Sequence, residues 1–366
     1  MKTKVVITGG GTAGHTNPGI AVGQALVEIG LDPDEIHFIG AKRGNEGRLV
    51  PEAGFKISLL SGRGIKRKIS IQSLTAAISL LFGAFHGFWL IAKLRPKVVM
   101  CLGGYASFPA SLASVLLFRP IVVSEQNARS SAVNQLFGRF AKVCALPFPN
   151  TDLPKGKLTG NPVRGSIGTP NKKLRVAARK KFGFGDNQIV VAVWSGSLGA
   201  DSVNNAVADL AKSWADRDDV YIYHIVGKRN WENYKGTDQS INNYLVKPYE
   251  DNMPELLQAC DVAVCRSGAS TIGELAIAGL PSVLIPLPGA PRDHQTANTE
   301  ELVEAGGAVL VPDSDLNSQS LEKALDSFLL DDQKRKKMSE AALSVARPAA
   351  AYDVAKLLIE VGDIDV

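Results

Sequence analysis

The sequence predicts an α/β chain of two doubly wound halves, each a parallel sheet covered by helices on both faces. Three observations carry this. Short apolar, β-branched runs alternate with helix-length segments. The runs fall into two sets around a proline- and glycine-punctuated break. Each set contains glycine-rich turns that lead from a strand into a helix. Continuous apolar strands separated by helices read as parallel βαβ units.

In the first half the candidate strands are Val5–Thr8, Ile36–Gly40, Val98–Leu102, Ile121–Ser124 and Val143–Ala145. In the second they are Ile189–Trp194, Tyr221–Val226, Val262–Cys265, Ser282–Ile285 and Ala308–Val311. The break falls at Pro147–Pro149 and again near Gly160–Arg164, and the linker is expected at Asn161–Gly165. The expected domains are residues 1–160 and 165–345, with residues 348–366 returning to the first. A chain of 366 residues suits two domains at roughly 150 residues each. Ligands of such sheets bind outside the carboxyl ends of the strands, so the expected site lies at those ends, between the halves.

Composition excludes several classes. Hydrophobic residues make up 45% and charged residues 21%, ordinary for a globular protein. A net charge of +5 is too mild to argue for nucleic acid, and no nucleic-acid partner is expected. Cys101, Cys144, Cys260 and Cys265 form no C-x-x-C pair and have no histidine at metal-ligand spacing, so buried thiols are expected. Lys4-Val5-Val6-Ile7 runs straight into a glycine turn, which does not read as a signal peptide; the expectation is a cytoplasmic protein.

The first turn, Gly9-Gly10-Gly11-Thr12-Ala13-Gly14, fits G-x-G-x-x-G between a strand and a helix. Such glycines admit an anion to free N–H groups at a helix N-terminus. The acidic residue that should end the second strand of a dinucleotide site is missing: Ala41-Lys42-Arg43 stands there, and those cations keep an NADP reading open. His15 follows the turn, an unusual choice for a purely structural position. Two further turns, Trp194–Gly199 and Cys265–Thr271, repeat the arrangement in the second half.

The motif Gly10-Gly11-Thr12-Ala13-Gly14-His15 with Pro18-Gly19 resembles the G-G-T-G-G-H…P-G turn of a bacterial enzyme family. That family is the peptidoglycan UDP-N-acetylglucosamine:muramoyl-pentapeptide pyrophosphoryl-undecaprenol N-acetylglucosaminyltransferases, which convert lipid I to lipid II. The likeness continues through Gly103-Gly104-Tyr105, Glu125-Gln126-Asn127, Gly160-Asn161-Pro162-Val163-Arg164 and Gly196-Ser197-Leu198-Gly199-Ala200. It extends to Cys265–Ala269, Ala278-Gly279-Leu280-Pro281 and Asp293-His294-Gln295.

The resemblance implies a GT-B fold, with a C-terminal helix near Pro348–Val361 crossing back onto the first domain. It implies UDP-GlcNAc as donor, an undecaprenyl-linked lipid as acceptor, and no cofactor. Thr12, Ala13, Gly14 and Asn127 would face the donor sugar. Arg164, Ser197 and Ala269, Ser270, Thr271, Ile272 and Gly273 would hold the diphosphate and nucleotide. Glu274 would take the ribose hydroxyls, Glu250 would lie in the uracil-reading loop, and His294 and Gln295 would contact the sugar. His15 would be the general base.

Structural alternatives stand beside these roles: backbone bonding for His15, capping for Ser270, Thr271 and Glu274, an ion pair for Arg164. Ala13 and Leu198 depart from the family's usual glycine and glutamine. Helix N-termini and Arg164 would neutralise the leaving diphosphate, and no D-x-D pair crowns a strand, so no metal is expected. Rival readings are a UDP-N-acetylglucosamine 2-epimerase, an NADP-dependent oxidoreductase and an idle nucleotide-binding scaffold.

From Ile69 to Ala92 the chain carries no charge. Polar residues and the sheet strand that follows argue against a membrane span. Leu74, Ile78, Leu81, Phe82 and Phe85 recur at helical spacing, just after Arg63, Lys66, Arg67 and Lys68. The expectation is a helix that dips an apolar face into an anionic bilayer, on the cytoplasmic side. An ordinary buried helix is the alternative.

Overall fold

The computed structural model describes residues 2–10, 13–42, 44–60, 71–163 and 165–366, with the backbone alone at residues 13 and 71–82. Thr12, Arg164 and the cations Arg63, Lys66, Arg67 and Lys68 lie outside the described residues, as do the side chains of Ala13, Leu74, Ile78, Leu81 and Phe82. The chain forms two compact units, Met1–Arg164 with Arg347–Val366, and Gly165–Ala346.

The first unit holds seven parallel strands: β1 (Val5–Thr8), β2 (Ile36–Ala41), β3 (Lys56–Leu60), β4 (Val98–Cys101), β5 (Ile121–Ser124), β6 (Val143–Leu146) and β7 (Gly156–Leu158), in the order β3-β2-β1-β4-β5-β6-β7. Side chains alternate across the sheet. On one face Val5 and Ile7 meet Val22, Leu26, Met100 and Leu358. On the other Val6 meets Val99, Ile91 and Ala110. Helix Ala350–Gly362 buries Val354, Ala355, Leu357 and Leu358 in the first of these clusters. The end of the chain is thereby part of the first unit's core.

The second unit holds six parallel strands: β8 (Ile189–Trp194), β9 (Val220–Ile225), β10 (Tyr244–Lys247), β11 (Val262–Cys265), β12 (Ser282–Leu284) and β13 (Ala308–Leu310), in the order β10-β9-β8-β11-β12-β13. Both sheets reverse strand order once, between β1 and β4 and between β8 and β11. A nucleotide site is expected where such a reversal splays the connections apart.

Three strands escaped the sequence reading: β3, β7 and β10. β3 and β7 are edge strands of the first sheet and β10 an edge of the second. Edge strands need no continuous apolar run, and β7 is exposed throughout.

Helix Ile71–Leu94 carries the uncharged segment from Ile71 to Ala92. Gly87 lets it close on helix Phe108–Leu116: a Cβ there would lie 3.0 Å from Pro109. Leu90 and Ile91 are buried beside this contact, whereas Phe85 is 74% and Trp89 49% exposed. Among the described residues no helix is long and apolar enough to cross a membrane.

Candidate active site

In the first unit the turns after β1 and β4 meet at the strand-order reversal. His15 sits in the opening turn of helix Ala13–Ile29 and is half-buried. Gly104 is left-handed (φ 73°), and a Cβ on it would lie 3.2 Å from the Gly10 carbonyl oxygen and 3.9 Å from His15 Nε2. The turn after β4 is therefore bare backbone against the imidazole. Burial lowers the His15 pKa below its ordinary value, opposed by the negative charges of Glu125 and Glu46. A lowered value keeps the ring neutral, able to accept a proton, at and somewhat below neutral pH.

Glu125 follows β5, is 1% exposed and organises its loop. Its Oε1 accepts the N–H groups of Gln126 (2.9 Å) and Asn127 (3.1 Å). Its Oε2 accepts Ser131 N–H (3.0 Å) and Asn134 Nδ2 (2.8 Å). Asn127, a predicted sugar contact, is thus set by its neighbour's carboxylate. Gly14 is exposed and Tyr105 half-buried.

In the second unit the turns after β8 and β11 adjoin the other reversal. A Cβ on Gly199 (φ 79°) would fall 1.9 Å from the Val226 carbonyl oxygen, so this turn packs on the end of β9 without room for a side chain. Ser197 and Leu198 project to solvent at its tip.

Helix Ala269–Ala278 begins after β11 with Gly268 as N-cap and no side-chain cap. Ser270 and Thr271 are inside the helix, one and two residues past its start, so the capping alternative for them is corrected: a glycine occupies that place. The first-turn amides are left without a side-chain cap at the carboxyl end of the strands, which suits an anion. Glu274 lies one turn further, half-buried with Thr271 and Gly273, while Ala269 and Ile272 pack inward.

Glu250 holds its own loop through its carboxylate, leaving the loop's backbone as the part expected to read a base. Its carboxylate accepts the Tyr223 hydroxyl and, at 2.8 Å, Asn252 N–H. It shapes its own loop, and burial together with that hydrogen bond holds the Tyr223 hydroxyl far above its usual pKa. Gln295 Oε1 accepts Leu287 N–H at 3.0 Å, tying the loop after β12 to helix His294–Glu304. His294 bonds the Pro291 carbonyl through Nδ1 at 2.9 Å, which assigns the proton to Nδ1 and leaves Nε2 as an acceptor.

Two structural residues carried no expectation. Arg266 reaches from the β11 turn to the carbonyls of Ile285 (3.2 Å) and Pro286 (2.9 Å), to Ser202 Oγ (3.0 Å) and to Asp313 (2.6 Å). Ser267 Oγ donates to the Gln295 carbonyl at 2.9 Å. Both lie in the quoted Cys265–Ala269 motif, but only the fold supplies their partners. All four cysteines are buried free thiols. Among the described residues no cluster of three or more His, Cys, Asp or Glu is set to hold a metal.

Two doubly wound units, each with glycine turns at its strand-order reversal, have the architecture of the GT-B class. The Glycosyltransferase family 28 N-terminal domain matches residues 5–146, and its C-terminal domain matches residues 190–358. A Mycolicibacterium smegmatis protein named UDP-N-acetylglucosamine--N-acetylmuramyl-(pentapeptide) pyrophosphoryl-undecaprenol N-acetylglucosamine transferase is 36% identical, over 98% of this chain and 94% of its own. The chain belongs to the family of these N-acetylglucosamine transferases. The crystal structure of Acinetobacter baumannii MurG superposes with a TM-score of 0.77 at 27% identity, covering 98% of this chain and 99% of that one. A Neisseria meningitidis UDP-GlcNAc 2-epimerase bound to UDP-GlcNAc gives 0.67 at 15% identity, over 99% of both chains, a likeness of fold alone.

Proposed function

We propose that this chain transfers N-acetylglucosamine from UDP-GlcNAc to the 4-hydroxyl of the N-acetylmuramyl-pentapeptide on undecaprenyl-pyrophosphate, turning lipid I into lipid II. The observation that carries the chemistry is an imidazole at the first unit's reversal, kept neutral by burial. The acceptor hydroxyl gives its proton to His15 as its oxygen attacks the anomeric carbon. The new C1–O bond forms with inversion, and the C1–O bond to UDP breaks with its electron pair leaving on the diphosphate.

The second unit takes the donor. The first-turn amides of helix Ala269–Ala278 face the growing negative charge, with Ser197 and Arg164 beside the diphosphate. Glu274 accepts two ribose hydroxyls, and His294 and Gln295 contact the sugar. From the first unit Thr12, Ala13, Gly14 and Asn127 complete the sugar's surroundings. The first unit also takes the lipid acceptor. It docks on the anionic inner face of the membrane through Leu74, Ile78, Leu81, Phe82 and Phe85, a role supported by the exposure of Phe85. Phe88 and Trp89, three and four residues after Phe85 on the same helix, are also exposed and were not foreseen.

The test is transfer of labelled GlcNAc from UDP-GlcNAc to a lipid I analogue, with product formation dependent on both substrates. Release of free sugar from UDP-GlcNAc alone would favour epimerase chemistry and overturn the reading.

A further inference from the structure

Glu46 is a buried carboxylate with no part in the scheme above. It opens helix Glu46–Glu52 and is 1% exposed. Its Oε1 accepts the Ala41 N–H at 3.0 Å, closing the end of β2. Three glycines make room for it: a Cβ on Gly10 would lie 2.1 Å from Oε1, one on Gly44 2.0 Å from Oε2, and one on Gly40 2.6 Å from Cγ. The carboxylate therefore rests directly on the backbone of the turn after β1. Across that backbone stands Gly104, whose Cβ would meet the Gly10 carbonyl oxygen at 3.2 Å and His15 Nε2 at 3.9 Å. Gly10 is thus held between Glu46 on one side and the Gly104–His15 contact on the other.

We propose that Glu46 is a positioning residue for His15: lodged among Gly10, Gly40 and Gly44, it fixes the backbone at Gly10, which lies against Gly104 beside the imidazole. This rests on the reading of His15 as proton acceptor. The carboxylate does a second job through its charge. His15 is acted on by two anions, Glu125 from the loop after β5 and Glu46 from the helix after β2, and each raises its proton affinity against burial. A protein-borne anion on this turn also opposes a dinucleotide phosphate there, which removes the attraction of the G-x-G-x-x-G reading. No acidic residue ends β2; the next one in the chain, Glu46, comes five residues later and turns onto the protein's own backbone.

Glu46→Gln keeps the volume and the acceptor for Ala41 N–H but removes the charge. In the full-length enzyme the His15 ring should titrate at lower pH than in wild type, followed by NMR and assigned by loss of its signal in His15→Ala. The acid limb of kcat/KM should move the same way, kcat should fall about tenfold as the base weakens, and KM for UDP-GlcNAc should hold. Glu46→Ala, which also frees the turn, should lower kcat on the order of a hundredfold. Glu46→Asp, retaining the charge, should keep the His15 titration near wild type and serves if the Gln variant does not fold. Loss of thermal stability in Gln or Ala with His15 titration and acid limb unmoved would make Glu46 a packing residue and overturn the proposal. Near-normal kcat in His15→Ala would overturn the proton-acceptor reading instead, and the NMR titration distinguishes the two failures.

Discussion

Replacing Gly104 by alanine should cost far more activity than stability, and the structure sets both sizes. Its φ of 73° is left-handed, which costs an alanine about 1–2 kcal/mol. The added methyl would meet the Gly10 carbonyl oxygen at 3.2 Å, so the turn must yield by a few tenths of an ångström. Together these predict about 2 kcal/mol of destabilisation, short of unfolding a typical domain. The same methyl would stand 3.9 Å from Nε2 and 4.0 Å from Cε1 of His15, an ordinary van der Waals contact that leaves the ring in place. On the proposed reading of His15, it fills space beside the ring that the attacking hydroxyl would use. Displacing the nucleophile by about an ångström lowers kcat roughly a hundredfold. Gly183→Ala is the internal control: that glycine is also left-handed (φ 74°), caps helix Lys172–Phe182, and has no atom within 4 Å of its Cβ position. Initial transfer rates, thermal unfolding and UDP calorimetry on both variants decide the matter. If Gly104→Ala loses no more kcat than Gly183→Ala, the hydroxyl does not approach His15 past this turn.

Further outcomes follow from the same geometry. Glu274→Ala should weaken UDP binding by roughly 1.5–3 kcal/mol through loss of a two-bond acceptor, read by calorimetry; unchanged affinity would return Glu274 to a structural role. Activity should survive EDTA in substantial part, because helix N–H groups carry the diphosphate charge; complete, magnesium-reversible loss would contradict that. Phe85→Ser with Trp89→Ser should lower binding to anionic vesicles while thermal stability holds, since both rings are exposed; unaltered vesicle binding would exclude this face. His224 is fully buried between Tyr244 Oη (2.9 Å) and Asn204 Oδ1 (3.1 Å), and burial lowers its pKa from 6.5 to about 3. The unfolded chain therefore binds one more proton between those values. Its stabilisation is complete above pH 6.5 and is lost as pH falls toward 3, at about 1.4 kcal/mol per pH unit. Denaturant titrations of His224→Gln should show that slope reduced by one proton's worth, and an unchanged slope would refute the assignment.

The sequence by itself determined the two-unit α/β plan, because a strand buried on both faces is nearly all apolar: β4, β8 and β11 are wholly so, and β1 and β5 carry only a final Thr8 and Ser124. It also marked His15 and the helix at Ala269, since glycine turns between strand and helix are local in the chain, whereas Asn127 was marked by the family resemblance alone. Where strands lie at an edge, as β3 and β7 do, neither rule applies and the pattern fades. The tertiary structure alone decided which buried charges matter. Glu125 stands two positions before Asn127, yet its bonds to Ser131 and Asn134 arise only when helix Ala132–Gly138 folds back on β5. The bond between Glu250 and Tyr223, 27 residues away, likewise appears only in the fold. Glu46 is separated by 36 positions from the Gly10 it supports, and its meaning depends on the absence of three side chains. A buried carboxylate is tolerated only where the fold brings it partners, and sequence spacing does not record which backbone will lie against it.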